Sequence, residues 1–226
     1  MLLPHLGLLN QRKIVLASAS PRRQQLLQQL HLNFEVVVSN FEELLPKAQF
    51  SGPEGAARYA VETAKGKVLD VVAMARQDAA ATGARLPDLV IGADTVVEHQ
   101  GIILEKADSP AAAADMLSRL SGDSHQVHTG VVLALPNRSE VGEATGPLLR
   151  CFHCSTRVEF EALDAALIQD YIQTGEPFGK AGSYGIQGVA GSFVKGIQGC
   201  YFNVMGFPLH RFSKEVVLLI QEGLLH

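Results

Sequence analysis

Cysteine is scarce in this chain. Three thiols, Cys151, Cys154 and Cys200, cannot build the disulfide framework on which small secreted domains depend, and a reducing, cytoplasmic setting is expected. Basic charge is also short: 19 Lys and Arg stand against 23 Asp and Glu, for a formal net charge of -4. Proteins that draw their affinity from the phosphates of a long nucleic acid carry the opposite excess, so no nucleic acid polymer is expected as a partner. A small anion, which needs only a local cluster of cations, is not excluded. No apolar run reaches the roughly 20 residues of a membrane-spanning helix. The apolar start, residues 1–9, is broken by Pro4 and Gly7 and has no basic leader, so it reads as an ordered lead-in and no membrane is expected. The eight histidines form neither an HExxH nor an HxxxH pattern, which argues against zinc hydrolysis. Cys151 and Cys154 make a CxxC without a second pair, and on a strand residues three apart face opposite sides, so a metal or redox site is not expected there.

What is present is globular. With 226 residues, 47% hydrophobic and 19% charged, the chain can bury a sizeable core as one large α/β domain or as two lobes sharing a sheet. Residues 13–18 read as a short strand and 21–31 as an amphipathic helix, with Leu26, Leu27 and Leu30 on one side. Residues 34–38 read as a second strand. A long alanine-rich helix is expected from Ser51 to about residue 81, capped by Ser51 with Pro53 in its first turn and interrupted by Gly66. The near-continuous apolar run 89–97 has the pattern of a central strand covered on both faces, and 102–104 can pair back on it. A helix over 109–120, strands over 125–135 and 156–160, an exposed loop over 136–147 and helices over 164–174 and 207–219 complete the reading. The hairpin makes a mixed sheet the expected form.

The most informative segment is Ser18-Ala19-Ser20-Pro21-Arg22-Arg23, where strand turns into helix. Ser20 is placed as N-cap and Pro21 as first helical residue, which sets Arg22 and Arg23 in the first turn. Cations there oppose the helix dipole by roughly 0.3–1 kcal/mol each, while the free backbone N–H groups favour anions. Either a phosphate compensates the arginines, with Ser18 and Ser20 as further donors, or they extend into solvent or pair with carboxylates. Asp94 interrupts an apolar strand, and a buried carboxylate costs several kcal/mol unless paired, hydrogen-bonded or bound to metal. It either faces a cleft with Thr95 or caps nearby N–H groups. Glu42-Glu43, Lys65 and Lys67, and Glu105-Lys106 are further candidates, each weak alone. The glycine-rich stretch 180–195 carries apolar residues throughout, as suits a packed loop around a ligand, and Gln187 offers both donor and acceptor to a base edge.

Seven ordered segments, among them 16–23, 92–95, 104–106 and 181–188, resemble the Maf family of nucleoside triphosphate pyrophosphatases over nearly the whole chain. The resemblance implies a single Maf/ITPase-like α/β domain over 1–226, with a long curved mixed sheet flanked by helices and two lobes about a deep cleft. It implies a divalent cation (Mg, Mn or Co) and hydrolysis of a nucleoside triphosphate to monophosphate and pyrophosphate. By the family pattern Asp94 is the proton acceptor, and Ser18, Arg22, Arg23, Glu43, Lys67, Lys106 and Gln187 surround the substrate, with Glu43 and Asp94 holding the metal. The alignment leaves Lys65 against Lys67, and Glu42 against Glu43, open. Arg22, Thr95 and Gln187 resemble the branch acting on dTTP, UTP or modified pyrimidine triphosphates. The chain is also similar to the Maf-like region of longer members in which a C-terminal methyltransferase-like domain follows, and the resemblance implies a homodimer.

Overall fold

The computed structural model describes residues 1–42, 45–139 and 146–225. After a short lead-in helix α1 (Leu6–Leu9), strand β1 (Ile14–Ala17) is buried along its whole length. Ile14 and Leu16 pack with Leu26, Ile91 and Phe212, while Val15 and Ala17 pack with Val68 and Val90. The period of two thus sends alternate residues into two apolar clusters, as a strand covered on both faces requires.

The sheet has seven strands. Beside β1 lie β2 (Glu35–Val36) and β3 (Leu89–His99), then β5 (Ser124–Leu135), β6 (Leu148–Phe160) and β7 (Val194–Gln198), with β4 (Ile102–Leu104) paired to β3. β1 runs parallel to β2 and β3, and the remaining pairings are antiparallel. The sheet is therefore mixed, as expected. Helix α2 (Pro21–Gln28) follows β1, and α3 (Gly55–Thr82), 28 residues long, crosses the face of β3 and β5. α4 (Pro110–Leu120) and α5 (Ala165–Gln173) enclose a third cluster containing Leu117, Leu120, Phe160 and Tyr171. α6 (Tyr201–Val204) and α7 (Leu209–Gln221) close the described chain.

Glycine sets how closely α3 approaches the sheet. A Cβ on Gly130 would lie 2.4 Å from the backbone N of Val61, and one on Gly92 would lie 2.3 Å from Val68 Cγ2. Gly66, the interruption in the helix pattern, has a packing reason: its missing Cβ is where the Phe41 ring sits, 2.4 Å away.

Several boundaries differ from the sequence reading. α3 begins at Gly55 rather than Ser51. Its N-cap is Glu54 at φ 60°, and a Cβ on Gly55 would lie 1.8 Å from the Phe50 carbonyl oxygen, so the glycine and not Ser51 or Pro53 defines the start. α2 ends at Gln28, and the chain turns at His31 with φ 57°. β6 begins at Leu148, well before residue 156. The glycine-rich stretch 180–195 runs into β7, an exposed edge strand whose sequence includes Lys195 and Gly196. Among the described residues no helix is long and apolar enough to cross a membrane.

Candidate active site

The sheet leaves a gap along one edge of β3. β1 pairs with that edge as far as Ala17 opposite Gly92, and β4 takes it up only at Val97 opposite Leu104. β5 occupies the other edge from Val90 to Glu98. Among the described residues no strand pairs with residues 93–96 on the β1 side. A pocket of about 350 Å³ opens there, lined by the turn after β1, by Asp94 and Thr95, and by Lys67, Lys106 and Gln187. Lys106 is tied to the glycine-rich loop by an antiparallel bridge to Ala181, which draws the loop across the pocket.

Asp94 and Thr95 are consecutive on a strand and so address opposite faces. Asp94 Oδ1 accepts a 2.7 Å bond from Lys67 Nζ on α3, and both side chains are nearly buried, at 7% and 11% exposed. Removing one partner of such a pair strands the other, at a cost of about 3–5 kcal/mol. The helix settles which lysine this is. Lys65 lies two residues away on another side of α3, 39% exposed and 4.0 Å from Glu62, whereas Lys67 lines the pocket.

On the other face, Thr95 Oγ1 accepts from Arg23 Nη2 at 3.0 Å. Arg23 also donates through Nε to the Gly206 carbonyl at 2.9 Å and through Nη1 to Ser18 Oγ at 3.3 Å. Thr95 is 3.0 Å from Thr129 Oγ1, which donates to the Asn203 carbonyl at 3.1 Å. Asn203, wholly buried, donates to the Val127 carbonyl and to Thr156 Oγ1. This chain of polar groups fixes the turn, β3, β5, β6 and α6 to one another, and nothing in the local sequence announces Asn203 as part of it.

The opening turn is built as its residues suggest. Pro21 starts α2 and Ser20 stands at the N-cap, although its hydroxyl makes no capping bond. Ser18 Oγ accepts from the Ser20 N–H instead, at 3.2 Å. Arg22, in the first turn, makes no ion pair with a carboxylate among the described residues, and burial holds its pKa below the usual guanidinium value. Glu43 lies outside the described residues, and Glu42 is exposed and does not line the pocket. Several pocket residues were not among the site candidates named from the sequence, Lys180 and Phe41 among them. Lys180 carried no motif of its own, and Phe41 is signalled only by Gly66, which makes room for it. Of the CxxC cysteines, Cys151 is exposed and Cys154 partly buried.

A divalent ion fits a sparse donor set here. Among the described residues no group of three or more His, Cys, Asp or Glu converges. Mg²⁺, however, commonly takes one or two carboxylates and completes its shell with water and substrate phosphates. Asp94, with Oδ2 lacking a hydrogen-bond partner among the described residues, is suited to that role.

The chain is similar to known proteins over most of its length. A human protein named as a probable bifunctional dTTP/UTP pyrophosphatase/methyltransferase is 45% identical over 219 residues, 97% of this chain but 34% of its own length. The chain thus spans about a third of that relative. The dTTP/UTP pyrophosphatases of Moorella thermoacetica and Clostridium tetani are 43% and 36% identical, each over 87% of this chain and 90% and 92% of their own lengths. The Ham1 protein of Staphylococcus aureus superposes with a TM-score of 0.39 at 16% identity, over 66% of this chain and 72% of that one. The Maf-like protein family model matches residues 13–217, from the start of β1 into α7, and the chain belongs to that family.

Proposed function

We propose that this chain hydrolyses dTTP and UTP to the nucleoside monophosphate and pyrophosphate. One observation carries the reading: a single pocket holds an Asp94 carboxylate fixed by Lys67 beside a turn whose Arg22 has no carboxylate partner among the described residues. A polyanion bearing a scissile phosphoanhydride supplies what both groups lack. Relatives at 36% to 45% identity are named for that activity.

In the mechanism we infer, a water attacks the α-phosphorus in line and Asp94 Oδ2 accepts its proton. The electrons of the α–β bridging bond leave with pyrophosphate. Lys67 keeps the carboxylate oriented, and Lys106 and Arg22 neutralise charge on the phosphates, as do Ser18 and the N–H groups of the turn. Arg23 holds the turn against β3 and also lines the site. Glu43 is assigned with Asp94 to a divalent ion, Mg, Mn or Co, which when bound would shield the phosphates and polarise the reacting centre. Thr95 and Gln187 join Arg22 in choosing the nucleotide. The proposal extends to a two-lobed molecule with the pocket as its cleft, to a cytoplasmic homodimer, and to a methyltransferase-like domain following this region in a longer protein.

Pyrophosphate release from a nucleotide panel with Mg²⁺ or Mn²⁺ tests the reading. dTTP and UTP should lead, ahead of ITP and 7-methyl-GTP. Tight binding without release from any nucleotide would make the chain a nucleotide-responsive regulatory module instead.

A further inference from the structure

Part of the pocket carries positive charge that no ion pair among the described residues neutralises. Arg22 and Lys180 both line it, and neither makes an ion pair with a carboxylate among the described residues. Lys180 Nζ donates to the Glu176 carbonyl, which engages one of its three protons. Its stem lies over Gly185: a Cβ there would come within 2.9 Å of Lys180 Cε and 3.7 Å of Gln187 Oε1. The bare glycine thus lets the lysine and the glutamine amide lie side by side. Burial lowers the Lys180 pKa, and the charge of Arg22 lowers it further against the pull of the Glu176 carboxylate, which places the guanidinium within electrostatic reach.

We propose that Lys180 is a specificity-determining residue which, with Gln187 and Arg22, reads the 2,4-dioxo edge of a pyrimidine. This rests on the pyrimidine triphosphatase reading above. Thymine and uracil present acceptor, donor, acceptor along O4, N3–H and O2. The complement is donor, acceptor, donor: Gln187 Oε1 accepts from N3–H, and the ammonium and guanidinium donate to the two carbonyl oxygens. Cytosine would set its amino group against a cation and turn the bare N3 lone pair toward Oε1, leaving polar groups unpaired in a partly desolvated site. The 5-methyl group is not on this edge, so dTTP and UTP are accepted alike.

The test compares kcat/KM for dTTP, UTP and dCTP in the wild-type chain and in Lys180→Met, with Mg²⁺. The dTTP and UTP values should fall at least roughly tenfold further than the dCTP value, the scale of a lost directional contact, and Lys180→Arg should retain most of the preference. Gly185→Ala, which displaces Lys180 and Gln187 by steric contact alone, should lower the same ratio if Lys180→Met does not fold. On the wild type, 3-methyl-UTP, which lacks N3–H, should be a poor substrate. An equal fall for all three nucleotides would place Lys180 on the phosphates and overturn the proposal, as would no change. If the wild type turns over no nucleotide, the functional reading fails instead. Calorimetric binding of the α,β-methylene analogues of dUTP and dCTP then reads the same ratio without chemistry, and equal discrimination in wild type and Lys180→Met overturns the proposal.

Discussion

Asp94 and Lys67 neutralise each other across 2.7 Å, and Arg23 commits its guanidinium to three protein oxygens. One residue earlier on the same helical turn, Arg22 makes no ion pair with a carboxylate among the described residues, and neither does Lys180 across the pocket. The first set of charges is held by the protein before anything binds. The second is left for a ligand. Preorganised charge positions a reaction, because it costs no rearrangement when the substrate arrives. Unneutralised charge selects what may arrive, because only a ligand whose acceptors match it in geometry removes its cost.

The largest effect should come from the preorganised set. Asp94→Asn keeps the shape and a contact to Lys67 but removes the proton acceptor, so kcat should fall by about 10²–10⁴ with KM for dTTP changed far less. A fall confined to KM would make Asp94 a binding group and remove the distinction between the sets.

The two arginines sharpen the contrast, since they should move thermal stability in opposite directions. Arg23→Lys replaces a fork that reaches the Gly206 carbonyl, Ser18 Oγ and Thr95 Oγ1 with a single ammonium. The loss of two such bonds should cost about 1–3 kcal/mol, a fall in Tm of roughly 2–10 °C for a chain of this size. Arg22→Met should instead raise stability, by about 0.5–2 kcal/mol, because it removes a partly buried cation without an ion-pair partner among the described residues, while it lowers kcat/KM for dTTP. Thermal melts of the two variants side by side check both signs. A destabilised Arg22→Met would show that the protein had neutralised that charge after all.

The halves of this arrangement were not equally legible in the sequence. β1 and β3 follow from their apolar runs and α4 from its Ser109-Pro110 opening, where the Ser109 side chain accepts from the Ala112 N–H at 3.2 Å. Asp94 stands out because a carboxylate in an apolar strand needs a reason. Its partner does not stand out: Lys65 and Lys67 differ only by helix register, and the choice needs the phase of α3 against β3. Arg23 was harder still. Its acceptor at Gly206 lies 183 residues away, and the chain through Thr95, Thr129 and Asn203 is made of residues that look ordinary in their own segments. β7 was missed because a short edge strand with Lys195 and Gly196 has neither alternation nor an apolar run. The start of α3 was misplaced because Ser51 and Pro53 satisfy local capping rules, while the close approach of Gly55 to the Phe50 carbonyl, which no capping rule encodes, decides it.

The smallest effect at neutral pH concerns the loop that carries Lys180 and Gln187. Tyr184, buried in that loop, is 2.7 Å from His125 Nε2 on β5, and His125 Nδ1 is buried without a partner. Burial, with help from His99 and against the pull of Asp123, depresses the His125 pKa to about 3. The folded state therefore keeps His125 neutral, while in the unfolded chain it titrates near 6.5. The sign follows: stability from this group is complete above about pH 6.5 and is lost as pH falls towards 3, because the unfolded state takes up the proton first. Between pH 7 and pH 5.5 the loss should be about 1 kcal/mol, within a limiting slope of roughly 1.4 kcal/mol per pH unit. His125→Gln retains a hydrogen-bonding partner for Tyr184 and has no proton to gain. Urea unfolding of the two proteins over this range should show the wild type losing stability more steeply by that amount. Parallel curves would mean that acid opens the loop locally and lets His125 protonate in the folded chain. The set of charges left for the ligand would then rest on a support that yields with pH, unlike Asp94 and Lys67, which are held across α3 and β3.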